Sequence, residues 1–116
     1  MLRRKIMEEL LKWKVRPDKM CLIVKGARQV GKTYIIDKFA RENYRYRTYI
    51  NFDENPAYTS IFDGDLDVEN LIKQISLRVP GAELVPHKTL LFLDEIQNCP
   101  RARTALKFLA SDGRFD

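Results

Sequence analysis

Apolar residues recur at helical spacing over the first fifteen or so positions, with Leu2, Ile6, Leu10 and Trp13 on one stripe and Met7 and Leu11 broadening it. The spacing predicts an amphipathic helix over residues 2–15, closed by Pro17, which biases Arg16 away from helical angles. The pattern then changes. Met20-Cys21-Leu22-Ile23-Val24 is apolar throughout, as a parallel strand buried on both faces is. Ile35, Ile36, Phe39 and Ala40 return to helical spacing, predicting a helix from Lys32 to about Glu42, and Tyr46 to Phe52 reads as a second strand. Strand, helix and strand in that order begin a βαβ unit. Asn51 to Pro56 breaks regular structure, and Ala57 to Phe62 forms a short helix. Asp67 suits the N-cap of a helix carrying Val68, Leu71, Ile72, Ile75 and Val79, which Pro80-Gly81 terminates. A last apolar strand spans Thr89 to Leu93. Pro100 opens a final helix through Ala102, Ala105, Leu106 and Leu109, and Gly113 stands where a helix-ending glycine belongs.

Between the first strand and its helix lies Gly26-Ala27-Arg28-Gln29-Val30-Gly31-Lys32-Thr33: glycine, four free positions, glycine, lysine, threonine. A polyphosphate concentrates negative charge, and backbone N–H groups wrapped around it at a helix N-terminus hold it compactly. Glycine at positions 26 and 31 lets the main chain approach the phosphates. Lys32 can reach the β and γ oxygens, and Thr33 can offer its hydroxyl to Mg²⁺. The competing reading is a surface turn beside a solvated lysine, and the strand and helix that flank the motif argue against it.

A second motif, Thr89-Leu90-Leu91-Phe92-Leu93-Asp94-Glu95, ends an apolar strand in two carboxylates. Carboxylates at the edge of a dry core need a cation or a partner, and magnesium is the cation expected. Ligands bind beyond the carboxyl ends of parallel strands, so Asp94 is expected to meet Mg²⁺ beside Thr33, directly or through water. Glu95 points elsewhere and can orient or deprotonate a water near the γ-phosphate. Asp53, Glu54 and the lone His87 receive no role.

Composition narrows the setting. A hydrophobic share of 45% is ordinary for a globular protein, so disorder is not indicated. Cys21 and Cys99 form no metal or redox spacing, which makes free thiols in the cytoplasm the expectation; no apolar run is long enough for a bilayer, so no membrane partner is expected. The net charge of +5 divides unevenly, at +9 over residues 1–50 and −4 over residues 51–116. The basic half, with Tyr44-Arg45-Tyr46-Arg47-Thr48-Tyr49 in it, keeps open an alternative: a nucleotide-gated switch or nucleic-acid-binding module whose ATPase activity is incidental. The same stretch lies where a strand is due.

Gly26 to Thr33, the strand Tyr49-Ile50-Asn51-Phe52, the run Leu91 to Pro100 and the Leu106 to Phe115 segment together resemble the fourteenth AAA-domain family, prokaryotic P-loop ATPases that usually carry a further C-terminal domain of unknown function. The resemblance implies ATP rather than GTP, and the chain has no Asn-Lys-x-Asp guanine motif. It implies Gly26, Ala27, Arg28, Gln29, Val30, Gly31, Lys32 and Thr33 at the nucleotide, Thr33 and Asp94 at magnesium, and Lys32 and Glu95 in catalysis, with Asp94 as the Walker B aspartate. The fold implied is an α/β P-loop NTPase-type three-layer sandwich with a mainly parallel sheet, formed of an N-terminal helix (1–17) and an incomplete P-loop core (20–116). In similar ATPases a further strand follows Gly113 and lies between the Walker A and Walker B strands. On this reading the chain is the N-terminal part of a longer protein, with sensor, arginine finger and C-terminal domain beyond it. Alone it is expected to turn over little ATP and to self-associate through exposed strand edges.

Overall fold

The computed structural model describes residues 2–16 and 32–116, with the backbone alone for residues 2–4 and 32. The expected strand Met20–Lys25 and the loop Gly26–Gly31 lie outside the described residues.

Helix α1 runs Leu2–Lys14 and α2 Lys32–Asn43. Strand β1 (Tyr46–Asn51) leads into a 3₁₀ turn at Pro56–Phe62, then α3 (Val68–Arg78), β2 (Thr89–Asp94), a short 3₁₀ turn at Ile96–Asn98, and α4 (Pro100–Asp112). The ends of these elements follow from local chemistry. The Asp67 carboxylate accepts a hydrogen bond from the Asn70 backbone N–H and so satisfies one of the donors left open at the start of α3. Gly113, at φ 78°, takes the left-handed angle that ends α4, and its N–H donates to Leu109 O.

The two strands are parallel, with Tyr46 opposite Thr89 and Asn51 opposite Asp94. Because side chains alternate across a strand, this register sorts the core into two faces. On one, Leu90 and Phe92 pack with Ile35, Ile36, Phe39 and Ala40 of α2 and with Ile6, Met7, Leu10 and Trp13 of α1. On the other, Ile50, Leu91 and Leu93 meet Leu71 and Ile75 of α3, Ala102, Ala105 and Leu109 of α4, and Ile61 and Phe62. The result is helices, parallel sheet, helices: an α/β three-layer arrangement.

The periodicity of α1 overreached at one position. Leu11, expected to broaden the buried stripe, is exposed, since the face that reaches α2 is the narrower one through Leu10. Cys99, in the connection between the second 3₁₀ turn and α4, is a buried free thiol packed in the α3/α4 cluster, as a free thiol was expected. After α4 the chain returns to the sheet. His87 N donates to Arg114 O and Leu91 N to Asp116 O. Tyr46 N and Phe52 N meet the carbonyls of Lys88 and Asp94, so the N–H of Leu91 faces away from β1. Residues 114–116 therefore run along the edge of β2 opposite β1.

Candidate functional site

The carboxyl ends of β1 and β2 and the first turn of α2 converge on Asp94. Its side chain is buried, 4% exposed, so the carboxylate needs donors in place of water. Among the described residues, three donate to it. Glu95 N donates to Oδ1 at 3.0 Å, the Thr33 hydroxyl of α2 to Oδ2 at 3.1 Å, and the Tyr49 hydroxyl of β1 to the same Oδ2 at 2.7 Å. Burial first, then the hydrogen bond to Asp94, pushes the Tyr49 phenol up to about 12.

Behind Tyr49 stands Asn51. Its Oδ1 accepts from the backbone N–H groups of Asp53, at 2.8 Å, and Glu54, at 3.0 Å, which leaves Nδ2 to donate to the Tyr49 hydroxyl at 3.0 Å. The turn that follows β1 thus orients an amide, the amide orients a phenol, and the phenol donates to Asp94. Arg47, on the same face, pairs with Asp37 of α2 and stacks over the Tyr49 ring at 5.2 Å, tying helix to strand beside the site. Phe92 supports the ring from β2, with centroids 5.0 Å apart.

Glu95 leaves the strand in the left-handed region, at φ 56° and ψ 43°, a conformation that costs a non-glycine residue on the order of 1 kcal/mol. In that turn Gln97 Nε2 donates to Glu95 Oε1 at 2.6 Å.

The structure brings together Thr33, Asp94 and Glu95 of the residues expected at the site. Gly26, Ala27, Arg28, Gln29, Val30 and Gly31, and the side chain of Lys32, lie outside the described residues. Tyr49, Asn51 and Gln97 went unassigned in the sequence. A signal for two of them was present: Asn is depleted in strands, and Tyr49 and Asn51 are two apart, hence on one face. The aromatic and basic stretch around them forms β1, with Arg47 paired to Asp37 and Tyr49 to Asp94.

Magnesium fits the donor set at this strand end. It takes hard oxygen ligands, usually one or two carboxylates with substrate phosphates and retained water, and Asp94 with the adjoining Thr33 hydroxyl offers a carboxylate and a neutral oxygen. Thr33 donates its proton to Asp94 and so keeps lone pairs for a cation.

A family model described as an AAA domain, the fourteenth of that series, matches residues 18–116. The chain belongs to this family. An AAA domain is a nucleotide-binding domain of the ATPase type, and the match runs across the phosphate-loop sequence, Thr33 and the Asp94 strand. No curated protein and no solved structure matches the chain at significant similarity. Among the described residues no helix of this AAA domain is long and apolar enough to cross a membrane.

Proposed function

We propose that this AAA domain binds ATP with Mg²⁺ and that its residues are arranged for hydrolysis of the γ-phosphate. The reading is carried by the 3.1 Å contact between Thr33 and Asp94, because it puts the hydroxyl that ends the phosphate-loop sequence against the carboxylate that ends a buried parallel strand. Gly26 to Gly31 would supply backbone N–H groups to the phosphates, and Lys32 a point positive charge at the β and γ oxygens. Thr33 and Asp94 would hold the metal, whose charge offsets that of the phosphates. Glu95, one residue beyond Asp94 in a left-handed backbone turn, would accept the proton of an attacking water, with Gln97 holding its carboxylate in place.

Calorimetric titration of the purified chain with MgATP tests this. Removing one charge-assisted phosphate contact is worth about 1.5–3 kcal/mol, so Lys32→Ala is expected to lower MgATP affinity about 10- to 100-fold while circular dichroism and melting stay as in the wild type. A folded Lys32→Ala protein with unchanged MgATP affinity would sink the reading.

A further inference from the structure

We infer that Tyr49 is a positioning residue for the metal: through its hydroxyl it fixes the Asp94 carboxylate in the orientation from which Asp94 and Thr33 serve Mg²⁺. The inference rests on the proposed MgATP reading of the site.

Three observations carry it. First, Tyr49 donates to Asp94 Oδ2 at 2.7 Å, a shorter hydrogen bond than the 3.1 Å one from Thr33. A carboxylate held through Oδ1 by a backbone N–H and through Oδ2 by two hydroxyls from different elements has little freedom to rotate about its Cβ–Cγ bond. Second, the direction of the Tyr49 hydrogen bond is set rather than free. The backbone N–H groups of Asp53 and Glu54 occupy Asn51 Oδ1, so the Asn51 amide must present its Nδ2 to the phenol oxygen. With that oxygen accepting, the phenol proton points at Asp94. Third, the ring cannot easily leave. It contacts both the Arg47 guanidinium and the Phe92 ring, and Arg47 is itself paired with Asp37 on the helix that bears Thr33.

The arrangement gives Tyr49 work distinct from packing. Hydrogen-bond partners behind a ligating carboxylate set its orientation, and their loss typically reduces metal affinity about 10- to 100-fold. A water-mediated or single-carboxylate Mg²⁺ site depends on orientation strongly, because the ion keeps strict octahedral geometry and brings few protein ligands to enforce it. Tyr49 touches neither the phosphates nor the attacking water in this account. It acts through Asp94.

The test separates metal from nucleotide. Wild type, Tyr49→Phe and Asp94→Asn are titrated with ATP in excess chelator and again across a range of Mg²⁺ or Mn²⁺ concentrations, with Mn²⁺ binding followed by electron paramagnetic resonance. Tyr49→Phe keeps the ring against Arg47 and Phe92. It is expected to raise the metal concentration giving half-maximal enhancement of nucleotide binding about ten-fold and to alter the Mn²⁺ spectrum, while chelator-state ATP affinity remains that of the wild type and melting falls only by what one lost hydrogen bond costs. Asp94→Asn should lose the metal enhancement entirely. If Tyr49→Phe matches the wild type in metal dependence while Asp94→Asn does not, the positioning role is overturned and the MgATP reading stands. If melting temperature and chelator-state affinity fall together in Tyr49→Phe, the residue is a packing element and the inference is overturned. If the wild type binds ATP without any metal enhancement, the reading of the site falls and this inference with it.

Discussion

The Thr33 hydroxyl donates to the Asp94 carboxylate at 3.1 Å although the two residues stand 61 positions apart in the chain. One ends the phosphate-loop sequence on the first turn of α2, and the other ends β2. Between them runs the packing of α2 on the Leu90 and Phe92 face of the sheet, so the contact is as firm as that packing. Energetically the hydrogen bond matters less for its own strength than for the donor it supplies to a buried carboxylate, which would otherwise lack one of its replacements for water.

The packing can be loosened without touching the site. Phe39 is fully buried in α2 among Ile35, Ile36, Leu10 and Leu90. Phe39→Ala is expected to lower unfolding stability by about 3–5 kcal/mol in urea titration, because the cavity left between two helices and a sheet relaxes only in part. A loss below about 1 kcal/mol would show that this face of the sheet is not packed as described.

Glu95 tests whether local strain accompanies the chemistry. Its φ of 56° suits glycine, so Glu95→Gly should leave stability unchanged or raise it by up to about 1 kcal/mol while removing the carboxylate. MgATP binding should persist in that variant, since the phosphate contacts and Asp94 are untouched. A protein destabilised by more than about 1 kcal/mol in urea would mean that the Glu95 side chain, through Gln97, outweighs the backbone cost.

Two phenols link stability to alkaline pH. Tyr44 is raised above its ordinary 10.0 by burial and then by its hydrogen bond to Asp116, and Tyr49 is pushed up to about 12 by burial and then by Asp94. An acid whose pKa is raised by folding gives up its proton first in the unfolded chain, so unfolding binds fewer protons than folding and stability falls with rising pH. The contribution is intact below about pH 10 and declines from pH 10 through 12 and beyond. Urea midpoints measured from pH 8 to 11.5 should fall over the upper part of that range. Tyr44→Phe, which keeps the ring edge against Phe39, should fall less steeply. Equal slopes would remove Tyr44 from the account.

Local patterns determined a good deal of this protein. The helical spacing of Ile35, Ile36, Phe39 and Ala40, the Asp67 cap and the glycine at 113 are each decided within a turn or two of chain, and each stands in the structure where the pattern put it. The apolar strand ending at Asp94 was legible for the same reason, since an apolar run closing on carboxylates needs no distant residue to be noticed. Leu11 marks the limit: a stripe shows which residues can be buried, but only the packing of α1 on its neighbours decides how wide the contact is. The relay from Asn51 through Tyr49 to Asp94 lay further beyond the sequence. It depends on the parallel register that sets Asn51 beside Asp94, and register is fixed by side-chain packing on both faces of the sheet at once. Nothing within six residues of Tyr49 specifies that its hydroxyl will find a carboxylate 45 positions away; only the folded sheet, bringing two strand ends and a helix start to one point, makes that choice.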